Sequence, residues 1–191
     1  MHRYHVSKRV FDLAICLVLL PLLIPLAVMI MILIRLDTPG PAIYASSRVG
    51  RNGKRFHMLK FRTMTKDTPE VPTHLMHNAA QSVTAVGGFL RKTSLDEMPQ
   101  IINVFAGDMS LVGPRPALTS QSDLLALRDQ ARVCCLLPGV TGWAQINGRD
   151  RLSIPDKVAL EQHYLEHQSM RLDVAIIAMT LLKVLSQADV A

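Results

Sequence analysis

The sequence predicts a mixed α/β (α+β) fold led by an N-terminal helix-break-helix that dips into a membrane and returns. Three features predict it. Residues 13–34, LAICLVLLPLLIPLAVMIMILI, carry no charge yet hold two prolines near their centre. An Asn52-Gly53 pair, a strong hairpin signal, separates two runs suited to strands. The C-terminal half then carries several helical stretches. At 191 residues the chain reads as a single domain, 1–191, long enough to bury a core. Residues 8–36 are expected to form the re-entrant membrane hairpin, and 37–191 a cytosolic part at the interface.

The apolar run is long enough for a transmembrane helix. It exceeds a secretory h-region, and no small-residue cleavage site follows it. Pro21 and Pro25 each remove a helix hydrogen bond and crowd the preceding turn. Both flanks are basic, with Arg3, Lys8 and Arg9 before the run and Arg35, Arg48, Arg51, Lys54 and Arg55 after it. Positive charge on both sides holds both ends in the cytoplasm. Two legs of about 10 residues are each about 15 Å long, half the thickness of a bilayer core. A kinked full span stays open beside this reading. A buried core helix fits less well, because every face of the run is apolar.

Beyond the Pro39-Gly40-Pro41 turn, strands are expected at about 42–49 and 54–63. Alternation puts Phe56, Met58, Lys60 and Arg62 on one face of the second. Lys60 and Arg62 there suit either a diphosphate grip or a solvated edge that guards the sheet. Residues 65–82 read as a loop. His74 and His77 stand at i, i+3 but lack the partners of a metal site.

A helix is expected from about 95 to 106, opening with TSLDEMPQ. Its Ser94-x-x-Glu97 fits a capping box, while the adjacent carboxylates Asp96 and Glu97 fit acid chemistry. GDMSLVGPRP reads as a loop in which Pro114 and Pro116 stiffen Arg115. Helices follow at about 120–133, 154–167 and 171–187. Between the first two, PGVTGWAQINGR is a loop with a short strand, and it is neither GxGxxG nor a P-loop. The uncharged stretch 174–182 is too short to span a bilayer.

Net charge is +6, the isoelectric point about 9.5 and mean hydropathy +0.24, so the partner should be anionic. Nucleic acid is disfavoured, since aromatics are 5% of the chain and no stacking platform or finger spacing appears. Cys16, Cys134 and Cys135 form no disulfide framework or CxxC pair and read as packing thiols.

Six stretches then occur in order: KRVFDLA, the broken apolar hairpin, LDTPGPAIY, RVGRNGKRFHMLKFRTM, FLRKTSLDEMPQIINVFAGDMSLVGPRPAL and PGVTGWAQINGR. With them the chain resembles the bacterial sugar transferase family, the monotopic phosphoglycosyl transferases that start glycoconjugate assembly. The likeness runs from about residue 7 to beyond 150 and is to the short, catalytic-domain form. It implies transfer of a sugar-1-phosphate from a nucleotide (uridine) diphosphate sugar to polyprenol (undecaprenyl) phosphate with Mg²⁺. It further implies that Asp96 forms an aspartyl phosphosugar and that Glu97, with Asp96, helps hold the metal. Lys60, Arg62, Arg91 and Arg115 match the family's basic positions and would bind the diphosphate.

The location implied is the cytoplasmic face of a bacterial inner membrane, among its lipids. The product would enter O-antigen, capsule, exopolysaccharide or protein glycans, and a homo-oligomer is compatible with all of this. Two departures stand out. Ile24 replaces the serine usual before the hairpin proline Pro25, with Pro21 additional, and AAQSVTAVGG replaces an Asp-Pro-Arg-like stretch. PTHL at 72–75 and PALTSQSDL at 116–124 lean toward members using N-acetylated amino sugars. A catalytically inactive membrane scaffold of the same fold is the alternative, and the intact acids and cations weigh against it.

Overall fold

The computed structural model describes residues 2–65, 68, 82–148 and 151–186. His74, His77 and the 72–75 stretch lie outside them. Helix α1, His2–Asp37, holds both Pro21 and Pro25 inside one uninterrupted helical element. The expected break is therefore not a break in secondary structure. A proline removes one rung of the ladder, and the rungs on either side can keep the helix going. The helix is long and apolar enough to cross a membrane. Its most apolar 18-residue window has a mean hydropathy of 3.1, yet only 11% of that window is buried.

Strands β1, Ile43–Val49, and β2, Arg55–Phe61, pair antiparallel with Tyr44 opposite Lys60 and Ser46 opposite Met58. The turn between them puts Asn52 at φ 54° and Gly53 at φ 75°. That left-handed conformation suits asparagine and glycine, so the pair fixes the strand register. Helix α2, Ala85–Lys92, was not expected, because Gly87-Gly88 lowers its propensity. Thr84 caps it, accepting from Gly87 N at 3.0 Å. Gly87 is needed for contact: a Cβ there would lie 2.1 Å from the Thr63 carbonyl oxygen.

The helix expected over 95–106 is divided. Leu95–Glu97 forms a 3-10 turn, and α3 runs from Gln100 to Ala106. Pro99 has no N–H to bond Leu95, and the stretch uses three-residue spacings instead, as from Met98 N to Leu95 O at 3.2 Å. The capping box does not form either. Ser94 is left-handed at φ 56° and its hydroxyl makes no capping bond. Asn103 of α3 fastens the helix to β2, accepting from Leu59 N at 2.9 Å and donating to His57 O at 2.8 Å. It thereby covers the edge of that strand.

Strand β3, Ser110–Val112, and β4, Ala117–Leu118, flank the Pro114–Pro116 loop, and α4 spans Ser122–Gln130. Then come β5, Gly139–Thr141, and the short α5, Trp143–Ile146. Helices α6, Ile154–Glu166, and α7, Met170–Leu185, complete the described elements. β4 joins the hairpin in the order β2-β1-β4, while β3 and β5 form a separate parallel pair.

Both ends of α1 dock on this body. Near its start, Lys8 pairs with Asp173 of α7 at 3.0 Å, and Tyr4 donates to the same carboxylate at 2.8 Å. Tyr164 donates to the other oxygen at 2.7 Å. Arg9 donates to the Val104 and Phe105 carbonyls at the end of α3, and Ser110 donates to Asp12 at 2.6 Å. Toward its far end, Ile30 and Ile34 pack with Ala42, Phe61 and Leu90. Between these anchors Leu17, Val18, Leu22 and Ile24 are exposed.

The Gly87 contact yields a test. Gly87→Ala should lower stability by roughly 1–3 kcal/mol, since the backbone it meets cannot move aside easily. Gly88→Ala should be near neutral or better, its nearest neighbour being a Val83 methyl at 3.9 Å. Thermal unfolding midpoints of the two variants check this. Equal midpoints would mean the α2–Thr63 contact yields freely.

Candidate active site

Asp96 and Glu97 sit on the 3-10 turn between α2 and α3, where the chain reverses beside β2. Asp96 is buried and the Glu97 side chain is 13% exposed. Two cations meet on a single oxygen, Glu97 Oε1: Lys60 Nζ at 2.7 Å and Arg115 Nη2 at 2.9 Å. Lys60 also stands 3.7 Å from Asp96 Oδ2. Arg91, on the last turn of α2, donates from Nε to Thr63 Oγ1 at 2.9 Å and adds its charge to the field at Asp96.

The two acids feel opposite net effects. Burial raises the pKa of Asp96, and Lys60, Arg115 and Arg91 only partly offset it, with Glu97 working against them. Burial also pushes Glu97 up, but Arg115 and Lys60 outweigh it, and its carboxyl falls well below the ordinary range. Glu97 is thus a fixed anion. Asp96 is buried and the less tightly paired of the two.

Arg115 is itself held. Arg128 donates from Nη2 to its carbonyl at 2.9 Å, and Arg128 is pinned in turn by a buried, two-pronged pair with Glu161 of α6. Sequence inspection missed this support, since a charge in the middle of α4 reads as a solvated face. Arg62 goes elsewhere. Its guanidinium donates to the Thr38 and Pro39 carbonyls and to Thr38 Oγ1, at 2.7–2.9 Å, clamping the turn after α1. The structure therefore gathers Asp96, Glu97, Lys60 and Arg115, with Arg91 nearby, and gives Arg62 a place in the turn. Pro21, Ile24 and Pro25 lie on the middle of α1.

Beside the dyad turn a groove of about 560 Å³ runs between α1 and α7, with Glu97 and Arg115 in its lining and mostly apolar walls. A second cavity of about 550 Å³ lies near the β1–β2 turn, bordered by Arg55, Pro114 and Arg128, and neither acid lines it. Among the described residues no three of His, Cys, Asp and Glu group as a metal cage.

Comparison with known proteins identifies the family. A family model described as bacterial sugar transferase matches residues 3–187. The chain is 39% identical over 180 residues to EpsL of Bacillus subtilis (strain 168), called an uncharacterized sugar transferase, covering 94% of this chain and 88% of that protein. It is 37% identical over 193 residues to the exopolysaccharide production protein ExoY of Sinorhizobium fredii, covering 92% and 84%. It is also 37% identical to the UDP-glucose:undecaprenyl-phosphate glucose-1-phosphate transferase of Escherichia coli (strain K12), over 92% of this chain but 39% of that protein.

Carboxyl-labelled NMR titration should show Asp96 ionising above its ordinary 3.8 and Glu97 below its ordinary 4.5. Arg115→Ala should move both upward. The depressed group stabilises the fold above its unfolded value and loses that contribution as pH falls through its folded one. Acid unfolding of Arg115→Ala should accordingly begin at higher pH than in the parent. Unmoved titrations would mean the guanidinium is screened by solvent.

Proposed function

The chain belongs to the bacterial sugar transferase family, and we propose that it moves a sugar-1-phosphate from a uridine diphosphate sugar to polyprenol phosphate in two displacements at Asp96. The observation that carries this reading is the buried acid pair beneath Lys60 and Arg115, of which Glu97 opens on an apolar groove. In the first displacement a carboxylate oxygen of Asp96 attacks the sugar-bearing phosphorus. The bond to the nucleoside monophosphate breaks and that group leaves with the electron pair. In the second, an oxygen of polyprenyl phosphate attacks the same phosphorus and Asp96 is released as carboxylate. A carboxylate suits this covalent role because it divides one hard displacement into two. Lys60, Arg115 and Arg91 offset the charge of the diphosphate that would otherwise repel the attack.

Mg²⁺ binds through one or two carboxylates plus substrate phosphates rather than an all-protein cage. The site fits that pattern: Lys60 and Arg115 both take Oε1 of Glu97, which leaves Oε2 and the Asp96 carboxylate as hard oxygen donors. When bound there, the ion would neutralise charge developing on the diphosphate.

The re-entrant topology belongs to the same proposal. Residues on both sides of Pro21 and Pro25 pack on one body through a buried Lys8–Asp173 pair and the Ile30–Ile34 contacts. A span with its ends in opposite compartments would pull that body and its ion pairs into lipid. The exposed apolar stretch between the anchors suits insertion from the cytoplasmic side of a bacterial inner membrane.

Two experiments test these readings. Incubation with a panel of uridine diphosphate sugars and Mg²⁺, without acceptor, should load one phosphosugar on Asp96 and release one equivalent of nucleoside monophosphate. Asp96→Asn should lose both signals, while Glu97→Gln should be slowed mainly through metal binding. An adduct mapped to Glu97, or activity requiring both substrates at once, would sink the two-step mechanism. For topology, single cysteines at Val6 and Arg51, in a chain freed of its own cysteines, should react only from the cytoplasmic side. Periplasmic labelling of either would replace the hairpin with a span.

A further inference from the structure

Gln145 of α5 presents an unusual side chain: both polar atoms of its amide are buried, and neither has a hydrogen-bond partner among the described residues. Buried amides are rarely left so, because the lost hydration is uncompensated. The backbone makes room for it. A Cβ on Gly142 would stand 2.6 Å from Gln145 Oε1. Gln145 lines the same groove as Glu97 and Arg115.

The groove walls are built from two stripes. Ile15, Leu19 and Leu23 of α1 face Ile177, Leu181 and Val184 of α7, and spacings of three and four put each set on one side of its helix. The α1 stripe is about 12 Å long. It continues into the exposed apolar surface around Leu22 and Ile24. The groove thus has a polar end at Glu97, Arg115 and Gln145, its α1 wall runs into a lipid-seeking face, and Lys183 adds a second cation to its lining. Charge and shape together fit a single hydrocarbon chain ending in a phosphate monoester.

We propose that this groove seats the first isoprene units of the polyprenyl phosphate acceptor and that Gln145 donates from Nε2 to its phosphate. The contact holds the phosphate near Arg115, on the Glu97 side of the dyad. This rests on the transferase reading above and adds the place and the reading residue for its second substrate. Gln145 is a substrate-binding residue for the second displacement and has no part in the first.

The test uses the full chain in lipid nanodiscs. Gln145→Leu keeps the bulk and removes the amide. Its KM for polyprenyl phosphate should rise about tenfold, the usual loss for one hydrogen bond to a charged group. Release of nucleoside monophosphate without acceptor, and the KM for donor, should stay at parent values. An unchanged acceptor KM with a normal donor step overturns this inference and leaves the two displacements standing. A variant that loses the donor step as well makes Gln145 a structural residue and overturns it too. No donor step in the parent protein would instead sink the two-displacement reading itself.

A second measurement needs no substitution. A polyprenyl phosphate carrying a diazirine near its head should label parent protein within 15–23 and 177–184. Unlabelled polyprenyl phosphate should protect these segments, and phosphatidylglycerol should not. Labelling elsewhere, or equal protection by phosphatidylglycerol, would make the groove a general lipid seat and overturn the proposal.

Discussion

One carboxylate oxygen, Glu97 Oε1, shared by Lys60 and Arg115, is the constraint on which the rest of the site depends. Two adjacent acids in a buried turn would repel each other and lose hydration, so the turn exists only where cations are delivered to it. Each cation is delivered by a different part of the fold. Lys60 comes from β2, whose register is fixed by the Asn52-Gly53 turn. Arg115 comes from the loop between β3 and β4. That loop is gripped from both flanks, by Gly113 N to Thr141 O at 2.8 Å and Gly139 N to Pro114 O at 2.9 Å. A hairpin, a parallel strand pair and a 3-10 turn therefore converge on one atom.

The same convergence separates the two acids in character, though they are neighbours in sequence. Glu97 absorbs most of the positive charge and stays ionised. Asp96 keeps only the 3.7 Å contact with Lys60 and the more distant fields of Arg115 and Arg91. Asp96 is thus the less tightly paired of the two acids. The buried Arg128–Glu161 pair extends the arrangement outward, since it anchors the carbonyl of Arg115 rather than its charged end. Loss of Glu161 would be felt at the dyad through a backbone atom.

Much of this was legible in the chain wherever local chemistry decides the outcome. Asn-Gly marked the hairpin, the two C-terminal helices lie close to the expected 154–167 and 171–187, and flanking prolines singled out Arg115. What escaped was set by contacts between distant segments. Two adjacent glycines carry low helix propensity, yet a helix forms over 85–92, where Gly87 meets the Thr63 carbonyl too closely for any Cβ. Ser94-x-x-Glu97 reads as a capping box, but Glu97 is drawn to two cations from elsewhere and Ser94 turns left-handed. Arg62 lies in alternation with Lys60, yet three oxygens of the Thr38–Pro39 turn claim it. The parallel pairing of β3 with β5 joins residues about thirty apart, and periodicity carries no trace of it.

The bridge from Lys8 to Asp173 joins residues 165 positions apart, and this sets an order of assembly in time. At roughly 5–20 residues per second of synthesis, Asp173 emerges roughly ten to thirty seconds after Lys8. Through that interval the start of α1 lacks its α7 partners, although Val104, Phe105 and Ser110, which receive Arg9 and Asp12, are already made. Of Lys8, Arg9 and Asp12, it is Lys8 that still waits for its partner, its charge hydrated in the meantime. When α7 is complete, Asp173 collects Lys8, Tyr4 and Tyr164 together, and one wall of the groove meets the other. The groove between α1 and α7 is therefore the last part of the fold to close, so an unfinished chain has the acid turn and its cations but only one groove wall.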